Sequence, residues 1–396
     1  MNNWHLAQGY QYAGIHCGLR PDPERRDLAL IVSDRPAAAA GVFTQNRVCA
    51  APVRVCRERV PSSDVRGIVI CSGNANACTG EQGLIDARRM TALAAESVGC
   101  RPEQFLVAST GVIGRPLPMA CLETGVPRAA RELSPSAAAL DRAAHAILTT
   151  DTVIKVSTRA LNLRSGEARI TGIAKGAAMI GPNMATLLAF VMTDAAIRPD
   201  LLAPLAARAA EESFNRISVE GHTSTNDTLL LLANGQGPQL TNEELAHFEA
   251  EAIGACADLA RAIVADAEGA NHLVAIEVEG LRDDAEARRV AKTIAESALV
   301  KAAIYGADPN WGRIISAAGY AGVDFEEEQL SLWLGDLLLY RAGAPLPFDA
   351  AAASTYLKKN REIHMRLRFT LGAGQATFWT CDLTPEYVRL NADYTT

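Results

Sequence analysis

The stretch that decides the fold reads Lys175-Gly-Ala-Ala-Met-Ile-Gly-Pro-Asn-Met-Ala185-Thr186-Leu-Leu-Ala-Phe-Val-Met-Thr-Asp-Ala195. Gly181-Pro182-Asn183 favours a turn, and the small Ala185 follows it directly before Thr186. Residues 187–192 are apolar without interruption, which predicts a buried strand that begins just after Thr186. The pattern therefore predicts a rigid strand that has a tight turn and a threonine at its mouth.

Thr186 is a candidate nucleophile. If the peptide bond between Ala185 and Thr186 breaks, Thr186 gains a free α-amine beside its hydroxyl, so one residue supplies both nucleophile and base. The turn before it suits the sharply turned peptide bond that self-cleavage needs. The alternative interpretation is that Thr186 only opens a strand, which threonine commonly does. The local pattern leaves both interpretations open.

The size and charge of the chain exclude several classes of protein. Its 396 residues are enough for two or three lobes with substantial cores. A net charge of −7 and a pI near 5.6 argue against a nucleic-acid binder, which usually has a basic face. The longest apolar runs, about eight residues, fall far short of the roughly 20 that cross a bilayer. The first ten residues have no apolar stretch typical of a secretory signal.

The cysteine pattern and the absence of several catalytic and binding motifs limit the kinds of site that the sequence supports. Nine cysteines, an odd number without a CxxC pair, indicate reduced thiols and predict a cytoplasmic protein. HExxH, GxSxG and EF-hand patterns are missing from the sequence, so we expect no metal site and no serine-hydrolase elbow. The glycine-containing loops 72–80 and 306–313 match neither GxxxxGK[ST] nor GxGxxG, so we expect no nucleotide and no cofactor.

Predicted strands and helices are interspersed along the chain. Apolar or alternating runs predict five strands, at 66–71, 104–108, 228–232, 274–278 and 365–370. A hairpin is predicted at 330–340. Helices are predicted from the Thr241/Glu244 capping box to about residue 269, over 204–217, and from Asp283 onward. This order predicts a mixed α and β protein whose sheets are covered by helices. A change of composition near 280–290 predicts the start of a smaller C-terminal lobe.

Two polar segments carry further candidates. Thr110-Gly111 ends a predicted strand and offers a hydroxyl beside an unhindered N–H, which suits an oxyanion hole, although a plain glycine turn is the alternative. Residues 220–228 read Glu-Gly-His-Thr-Ser-Thr-Asn-Asp-Thr, and such a run is costly to bury unless every group is paired. It predicts a loop near a site or in a network that supports one. Its His222 is a candidate base, but a solvated loop histidine is the favoured interpretation.

Several of these segments together resemble one family, the ornithine acetyltransferases (glutamate N-acetyltransferases of arginine biosynthesis). The matching segments occur in the same order over nearly the whole chain, at 40–47, 72–80, 108–114, 149–152, 175–186, 223–228, 306–313, 381–384 and 391–396. The resemblance implies an N-terminal-nucleophile fold, with layers of helix, sheet, sheet and helix and a smaller α/β lobe at roughly 285–375. It also implies self-cleavage between Ala185 and Thr186, which gives an α chain, 1–185, and a β chain, 186–396, typically in a heterotetramer of two each.

The resemblance also implies a reaction and a set of site residues. Thr186 takes an acetyl group from N-acetylornithine and passes it to glutamate, and Thr110 and Gly111 form the oxyanion hole. The residues that would hold the substrate are Thr149, Lys175, Thr186, Glu268, Asn391 and Thr396. A free α-amine, whose pKa is about 7.7–8.0, suits a general base near neutral pH. Because the acetyl group moves between amines through a covalent intermediate, no metal or coenzyme is needed. Whether acetyl-CoA is a second donor stays open.

The sequence departs from the family pattern at four places. Glu220-Gly-His222 stands where Asp-Gly-Asp is usual, and Asn271-His272 stands where Thr-Lys is usual. Ala178 replaces a glycine, and Cys71 stands where asparagine is common. None of these positions is the nucleophile, an oxyanion residue or Lys175. The changes of charge leave open a specialised paralogue that uses a different acyl donor or acceptor.

Two further alternatives belong to other functional classes. The same threonine site is compatible with an amidohydrolase or aminopeptidase, which releases the acyl group to water. A non-catalytic binding protein of the same fold would never cleave itself, and the intact Ala185-Thr186 pair argues against that interpretation.

Overall fold

The structure is a computed structural model, and it describes residues 4–181 and 187–393. Ala185, Thr186 and Thr396, which are named above as candidates, lie outside the described residues. The chain forms two compact units. The first contains the residues up to Asn215 together with His222–Ile263, and the second contains Arg216–Gly221 and the residues from Val264 onward.

The strands of the two units are numbered in chain order. In the first unit they are β1 (Tyr10–Ile15), β2 (Leu28–Phe43), β3 (Ser62–Asn74), β4 (Phe105–Val112), β5 (Lys155–Leu163), β6 (Gly166–Lys175), β7 (Leu188–Thr193) and β8 (Thr228–Ala233). In the second unit they are β9 (Leu273–Leu281), β10 (Ser331–Leu334), β11 (Leu337–Arg341), β12 (Ala344–Pro345), β13 (Glu362–Arg368) and β14 (Gly374–Cys381).

The helices are numbered in the same way. They are α1 (Ala51–Arg59), α2 (Gly80–Val98), α3 (Met119–Arg131), α4 (Ala137–Ala146), α5 (Pro199–Glu212), α6 (Asn242–Ala265), α7 (Asp284–Glu296), α8 (Ala298–Tyr305), α9 (Trp311–Gly319), α10 (Ala350–Lys359) and α11 (Pro385–Asp393). Within the described residues, none is long and apolar enough to span a membrane.

The first unit is built on an eight-stranded sheet. Its order is β4-β3-β2-β8-β7-β6-β5, and β1 pairs with β2. The long β2 joins two halves of this sheet, because its first part pairs with β1 and β3 while its second part pairs with β8. Strands β7 and β8 are parallel and buried along their whole length, as expected for uninterrupted apolar runs covered on both faces.

The sheet register places the candidate segments of the first unit at strand ends. Lys175, the last residue of β6, lies opposite Leu188, and Leu188 lies opposite Thr228 of β8. At the other side of the sheet, β3 and β4 run parallel, so that Gly73 lies opposite Gly111. The buried strand predicted after Thr186 is therefore present.

The second unit has its own sheet and core. Its six strands are ordered β12-β11-β10-β13-β9-β14, with β9 parallel to β13 and antiparallel to β14. Helix α7 packs on β9 and β14, and its apolar face joins a core that contains Val274, Ile294 and Phe378. The lobe expected at about 285–375 lies inside this unit, which already begins at Val264.

The predicted fold class is confirmed as a mixed α and β protein whose sheets are covered by helices. The capping box is present, since the Thr241 N–H donates to Glu244 Oε2 at 2.9 Å and the Glu244 N–H donates to Thr241 Oγ1 at 3.3 Å. The predicted hairpin also forms, from β10 and β11.

One predicted helix was misplaced. The helix expected over 204–217 is α5, which begins at Pro199 and ends at Glu212. Pro199 occupies the first helical turn, where the missing N–H has no cost, and Pro204 lies inside the helix. The prediction assigned the first-turn position to the wrong proline.

Gly14 allows α4 to approach β1 closely, and we expect Gly14→Ala to lower the free energy of unfolding by about 1–3 kcal/mol. An added Cβ would lie 2.0 Å from the carbonyl oxygen of Arg142, a backbone atom that cannot swing away. Urea denaturation measures the loss. Gly254→Ala in α6 is the matched control: the nearest atom to its Cβ would be 4.0 Å away, so that variant should be neutral or slightly stabilised. Equal stabilities of the two variants would contradict the prediction.

Candidate active site

The predicted oxyanion residues lie at the carboxyl end of β4. Thr110 is buried, and Gly111 has a φ of +133°, a conformation that favours glycine. A Cβ on Gly111 would lie 2.3 Å from the carbonyl carbon of Gly73 on the neighbouring strand. The close approach of β3 and β4 therefore requires glycine at position 111, and it leaves the backbone at this strand end without a covering side chain.

A short set of hydrogen bonds links this strand end to the segment before Thr149. The Ser72 hydroxyl donates to the carbonyl of Ala146 at 2.8 Å. The guanidinium of Arg20, whose stem lies against Gly73, donates to the carbonyl of Leu148. Since Ser72 and Gly73 pair with Thr110 and Gly111, the segment that leads to Thr149 is fixed next to the candidate oxyanion residues.

Lys175 and Thr149, both predicted to bind substrate, are in direct contact. Lys175 Nζ donates to Thr149 Oγ1 at 2.6 Å and lies 3.7 Å from Asp151 Oδ2. Asp151 also accepts hydrogen bonds from Lys155 Nζ and from the backbone N–H of Gly176, each at 2.6 Å. The structure therefore brings together two lysines and one aspartate in the interior of the first unit.

The charge of Asp151 is stabilised by its neighbours. Burial by itself would raise the pKa of this carboxyl, but the charges of Lys175 and Lys155 outweigh burial and hold the pKa well below its usual range. Asp151 is thus ionised and keeps the Lys175 ammonium in place. Sequence analysis missed the role of Asp151 and Lys155, although Asp151 lies inside the 149–152 segment that it quoted.

The polar run at 220–228 forms a supporting network. Asn226 Nδ2 donates to the carbonyls of Ala75 and Ser109, at 2.6 and 2.8 Å, and so ties the run to the end of β4. Thr44 Oγ1 donates to the Ser224 carbonyl at 2.6 Å. His222 is exposed, in agreement with a solvated loop histidine. Of the two roles considered for this run, the network is the one that the hydrogen bonds support.

Asp227 directly precedes β8 in the chain, and its side chain contacts the residue before β7. Its Oδ1 accepts the N–H of Leu187 at 3.0 Å, and Leu187 follows Thr186 directly in the chain. The side chain is fully buried, and burial raises its pKa well above the usual range despite the Leu187 N–H and the charge of Lys175. Asp227 is therefore a buried carboxyl that favours its neutral form. Sequence analysis named it only as one member of a polar run.

Two predicted substrate-binding residues meet in the second unit. Asn391 Nδ2 of α11 donates to Glu268 Oε2 at 3.0 Å. Tyr387, one turn earlier on α11, has its pKa raised to about 12 by burial and by the carboxylates of Glu220 and Glu268. These carboxylates make the area around Tyr387 suited to a cationic group. Sequence analysis did not identify Tyr387.

The three predicted residues at the cleavage point and the terminus, Ala185, Thr186 and Thr396, lie outside the described residues. Across residues 4–181 and 187–393, no group of three histidine, cysteine or acidic side chains is placed to hold a metal ion. The site residues that can be described thus comprise Thr110, Gly111, Thr149 and Lys175 in the first unit, and Glu268 and Asn391 in the second.

Thr110 and Gly111 offer hydrogen-bond donors that suit a developing oxyanion, and Lys175 offers a cation that suits a carboxylate. Both features are those expected of an acyltransferase that acts on amino acids. The chain matches the ArgJ family over residues 11–396 and belongs to that family. Both the predicted family and the predicted class of enzyme, an acyltransferase of arginine biosynthesis, are confirmed.

Three relatives illustrate the similarity. Arginine biosynthesis bifunctional protein ArgJ 1 from Nostoc sp. is 47% identical over 402 residues, which cover 98% of this chain and 97% of the relative. A crystal structure of arginine biosynthesis bifunctional protein argJ from Bacillus halodurans is 42% identical in sequence, with a TM-score of 0.50. The match covers 52% of this chain and 98% of the solved chain. Ornithine acetyltransferase from Mycobacterium tuberculosis, solved in complex with ornithine, is 34% identical, with a TM-score of 0.43, and covers 48% of this chain and 98% of its own.

The neutral form of Asp227 predicts how stability depends on pH. A carboxyl whose pKa is raised by folding contributes most below its unfolded pKa, about 3.9, and its contribution is lost as the pH rises through the folded pKa. Asp227→Asn keeps an uncharged side chain that can accept the Leu187 N–H. We therefore expect the stability of the variant, relative to the native protein, to increase steadily as the pH is raised above about 4. Thermal unfolding between pH 4 and 8 measures this difference, and a difference that stays constant would contradict it.

Proposed function

We propose that the protein cleaves itself between Ala185 and Thr186 and then transfers an acetyl group from N-acetylornithine to glutamate through an acetyl-Thr186 intermediate. In this mechanism the freed α-amine of Thr186 takes the proton of its own hydroxyl, which attacks the acetyl carbonyl. Ornithine leaves, and the amine of glutamate then attacks the acetyl-enzyme. The two fragments remain together, in the cytoplasm, as two α and two β chains.

Family membership over nearly the whole chain is the observation that carries this proposal. The solved Bacillus halodurans chain adds support for cleavage. The match includes 98% of that solved chain but only 52% of this one. The solved chain is therefore about half as long as this one, which is the length expected of a cleavage product. The hydrogen bonds that fix Leu187 and β7 also support Thr186 as the nucleophile, because a nucleophile attached to a rigid strand is held in one position.

The oxyanion that forms in each tetrahedral intermediate needs preorganised donors. The Thr110 hydroxyl and the Gly111 N–H lie side by side at the end of β4, and the close approach of β3 fixes them there. One such donor contributes about 3 kcal/mol to stabilisation of the transition state.

Substrate recognition follows from the charges of the two groups of residues. N-acetylornithine and glutamate each carry an α-carboxylate, which Lys175 and Thr149 would bind. Asp151 fixes the position of the Lys175 ammonium, so little side-chain entropy is lost when the carboxylate arrives. In the second unit, the family resemblance implies Glu268 and Asn391 as substrate residues, and the carboxylates around Tyr387 suit a cationic group such as a side-chain ammonium. Thr396 completes the set that the resemblance implies.

The name "bifunctional" that the relatives carry favours a second activity. We propose that acetyl-CoA also acetylates Thr186, so that the enzyme makes N-acetylglutamate from glutamate without N-acetylornithine. Incubation with acetyl-CoA and glutamate, followed by detection of free CoA thiol, tests this second donor. Acetylation of Thr186 alone releases about one equivalent of thiol per enzyme. Continued release beyond this equivalent only when glutamate is present would support transfer to glutamate over hydrolysis, the other alternative.

Intact-mass spectrometry tests both cleavage and the acyl intermediate. We expect two fragments that correspond to 1–185 and 186–396, and a mass gain of one acetyl group on the second fragment after N-acetylornithine is added. Thr186→Ala should give one uncleaved chain near 42 kDa without the acetyl group. Thr186→Ser should keep part of both reactions, because serine also carries a hydroxyl. An active preparation that consists only of the uncleaved chain would overturn the mechanism.

Kinetics with a Lys175 variant test whether Lys175 binds the α-carboxylate of the substrates. Lys175→Met removes the ammonium and keeps an unbranched side chain of similar length. We expect the KM for both N-acetylornithine and glutamate to rise by about tenfold or more, as for loss of a charged hydrogen bond. Arg198→Met removes an exposed cation of the same unit and serves as the control. An unchanged KM in Lys175→Met, with cleavage complete, would show that another group binds the carboxylate.

A further inference from the structure

The turn that follows Glu268 is held by a single buried carboxylate. We call residues 268–272 the Glu268 loop. Asp382, at the end of β14, accepts the backbone N–H groups of Asn271 and His272 on Oδ1, at 2.9 and 3.0 Å. Both donors belong to the backbone of the loop. Asp382 therefore fixes the path of the chain just after Glu268.

A second contact joins the Glu268 loop to α11. Thr384 Oγ1 donates to the carbonyl of Gly269 at 2.7 Å. Gly269 has a φ of +68°, and a Cβ there would lie 2.5 Å from the nitrogen of Tyr387. The loop therefore packs directly against the first turn of the helix that carries Asn391, the hydrogen-bond partner of Glu268.

His272 completes this arrangement with both of its ring nitrogens. Nδ1 lies 2.9 Å from Asp382 Oδ2, and Nε2 lies 3.0 Å from the carbonyl oxygen of Leu357. A backbone carbonyl can only accept a hydrogen bond, so Nε2 carries a proton and donates it to Leu357. Nδ1 is hydrogen-bonded to the carboxyl of Asp382. The ring is therefore held at both of its nitrogens.

These contacts change how the departure from the family pattern is understood. His272 stands where the family resemblance has a lysine. Its ring pairs with Asp382, whose side chain is fully buried, and so it fixes the end of the loop that begins at Glu268. Glu268 itself is hydrogen-bonded to Asn391 of α11.

We propose that His272 and Asp382 are a positioning pair, which holds the Glu268 loop so that Glu268 binds the side-chain ammonium of the acyl donor. The proposal rests on the substrate role of Glu268 in the proposed function. His272 does not touch the substrate; it acts through the loop, and its effect is confined to donors that carry a second amine.

Two acyl donors separate positioning of Glu268 from a general structural effect. N-acetylornithine has the side-chain ammonium, and N-acetylnorvaline has the same carbon chain without it. His272→Gln should raise the KM for N-acetylornithine by about tenfold and leave the KM for N-acetylnorvaline unchanged, because a flexible amide does not hold Asp382 and Leu357 from two fixed positions as the ring nitrogens do. The kcat for both donors and the extent of self-cleavage should not change.

Three further variants sharpen the comparison. His272→Lys supplies the family's residue, whose ammonium can donate to Asp382, and should recover most of the lost affinity. His364→Gln removes an exposed histidine of β13 in the same unit and should have no effect. Glu268→Gln should raise the KM for N-acetylornithine alone, and His272→Gln added to it should cause no further increase, since the pair acts through Glu268.

The outcomes distinguish this proposal from the proposed function. An equal rise of KM for both donors in His272→Gln, or a further rise in the Glu268→Gln background, would overturn the positioning role and leave the role of Glu268 intact. If Glu268→Gln leaves the two KM values unchanged, the assignment of Glu268 and this proposal fall together, while cleavage and acetylation of Thr186 would still stand.

A spectroscopic measurement tests the hydrogen bonds of the ring without activity. In 15N NMR spectra of histidine-labelled protein, Nε2 of His272 should carry a proton, and Asp382→Asn should shift the resonance of Nδ1. A native Nε2 without a proton, or an Nδ1 resonance that Asp382→Asn leaves unchanged, would overturn the proposed pair.

Discussion

The backbone of Leu187, directly before β7, is fixed at both its N–H and its carbonyl, and the position of Lys175 depends on this constraint. The N–H of Leu187 donates to the buried carboxyl of Asp227 at 3.0 Å, and its carbonyl accepts the N–H of Thr228 at 3.1 Å. From Leu188 onward, β7 pairs in parallel with β8, without a break in register, over the whole length of both strands. Since Lys175 lies opposite Leu188, the same register also sets the position of the lysine.

The polar groups around this strand end cost stability, and their arrangement limits that cost. Lys175 and Lys155 are buried beside the carboxylate of Asp151, while Asp227 avoids a buried charge by favouring its neutral form. Apolar side chains of similar size would be at least as stable in such a place. Stability alone therefore does not explain these buried charges, and they agree with the proposed role of Lys175 as a fixed cation.

Local sequence patterns predicted several elements of the fold correctly, and other elements show where such patterns are not enough. The apolar run at 187–192 and the Thr241/Glu244 capping box predicted β7 and the start of α6, because neighbours in the chain carry those signals. The prediction for α5 was wrong because two prolines, Pro199 and Pro204, compete for one first-turn position. Asp151 and Asp227 were not recognised, because what distinguishes them is burial next to charges that come from other strands.

The sequence by itself indicated the family, the mixed α and β class and several of the strands and helices, and it named the threonines, glycines and charged residues expected at a site. Only the tertiary structure decided which of these groups meet and how burial shifts the pKa of a carboxyl. Asn226 reaches the carbonyl of Ser109 across 117 residues of chain. The two partners of the His272 ring are 110 and 85 residues away. Such partners leave no periodic pattern in a sequence, because sheet register and helix packing, and not local spacing, bring them within hydrogen-bonding distance.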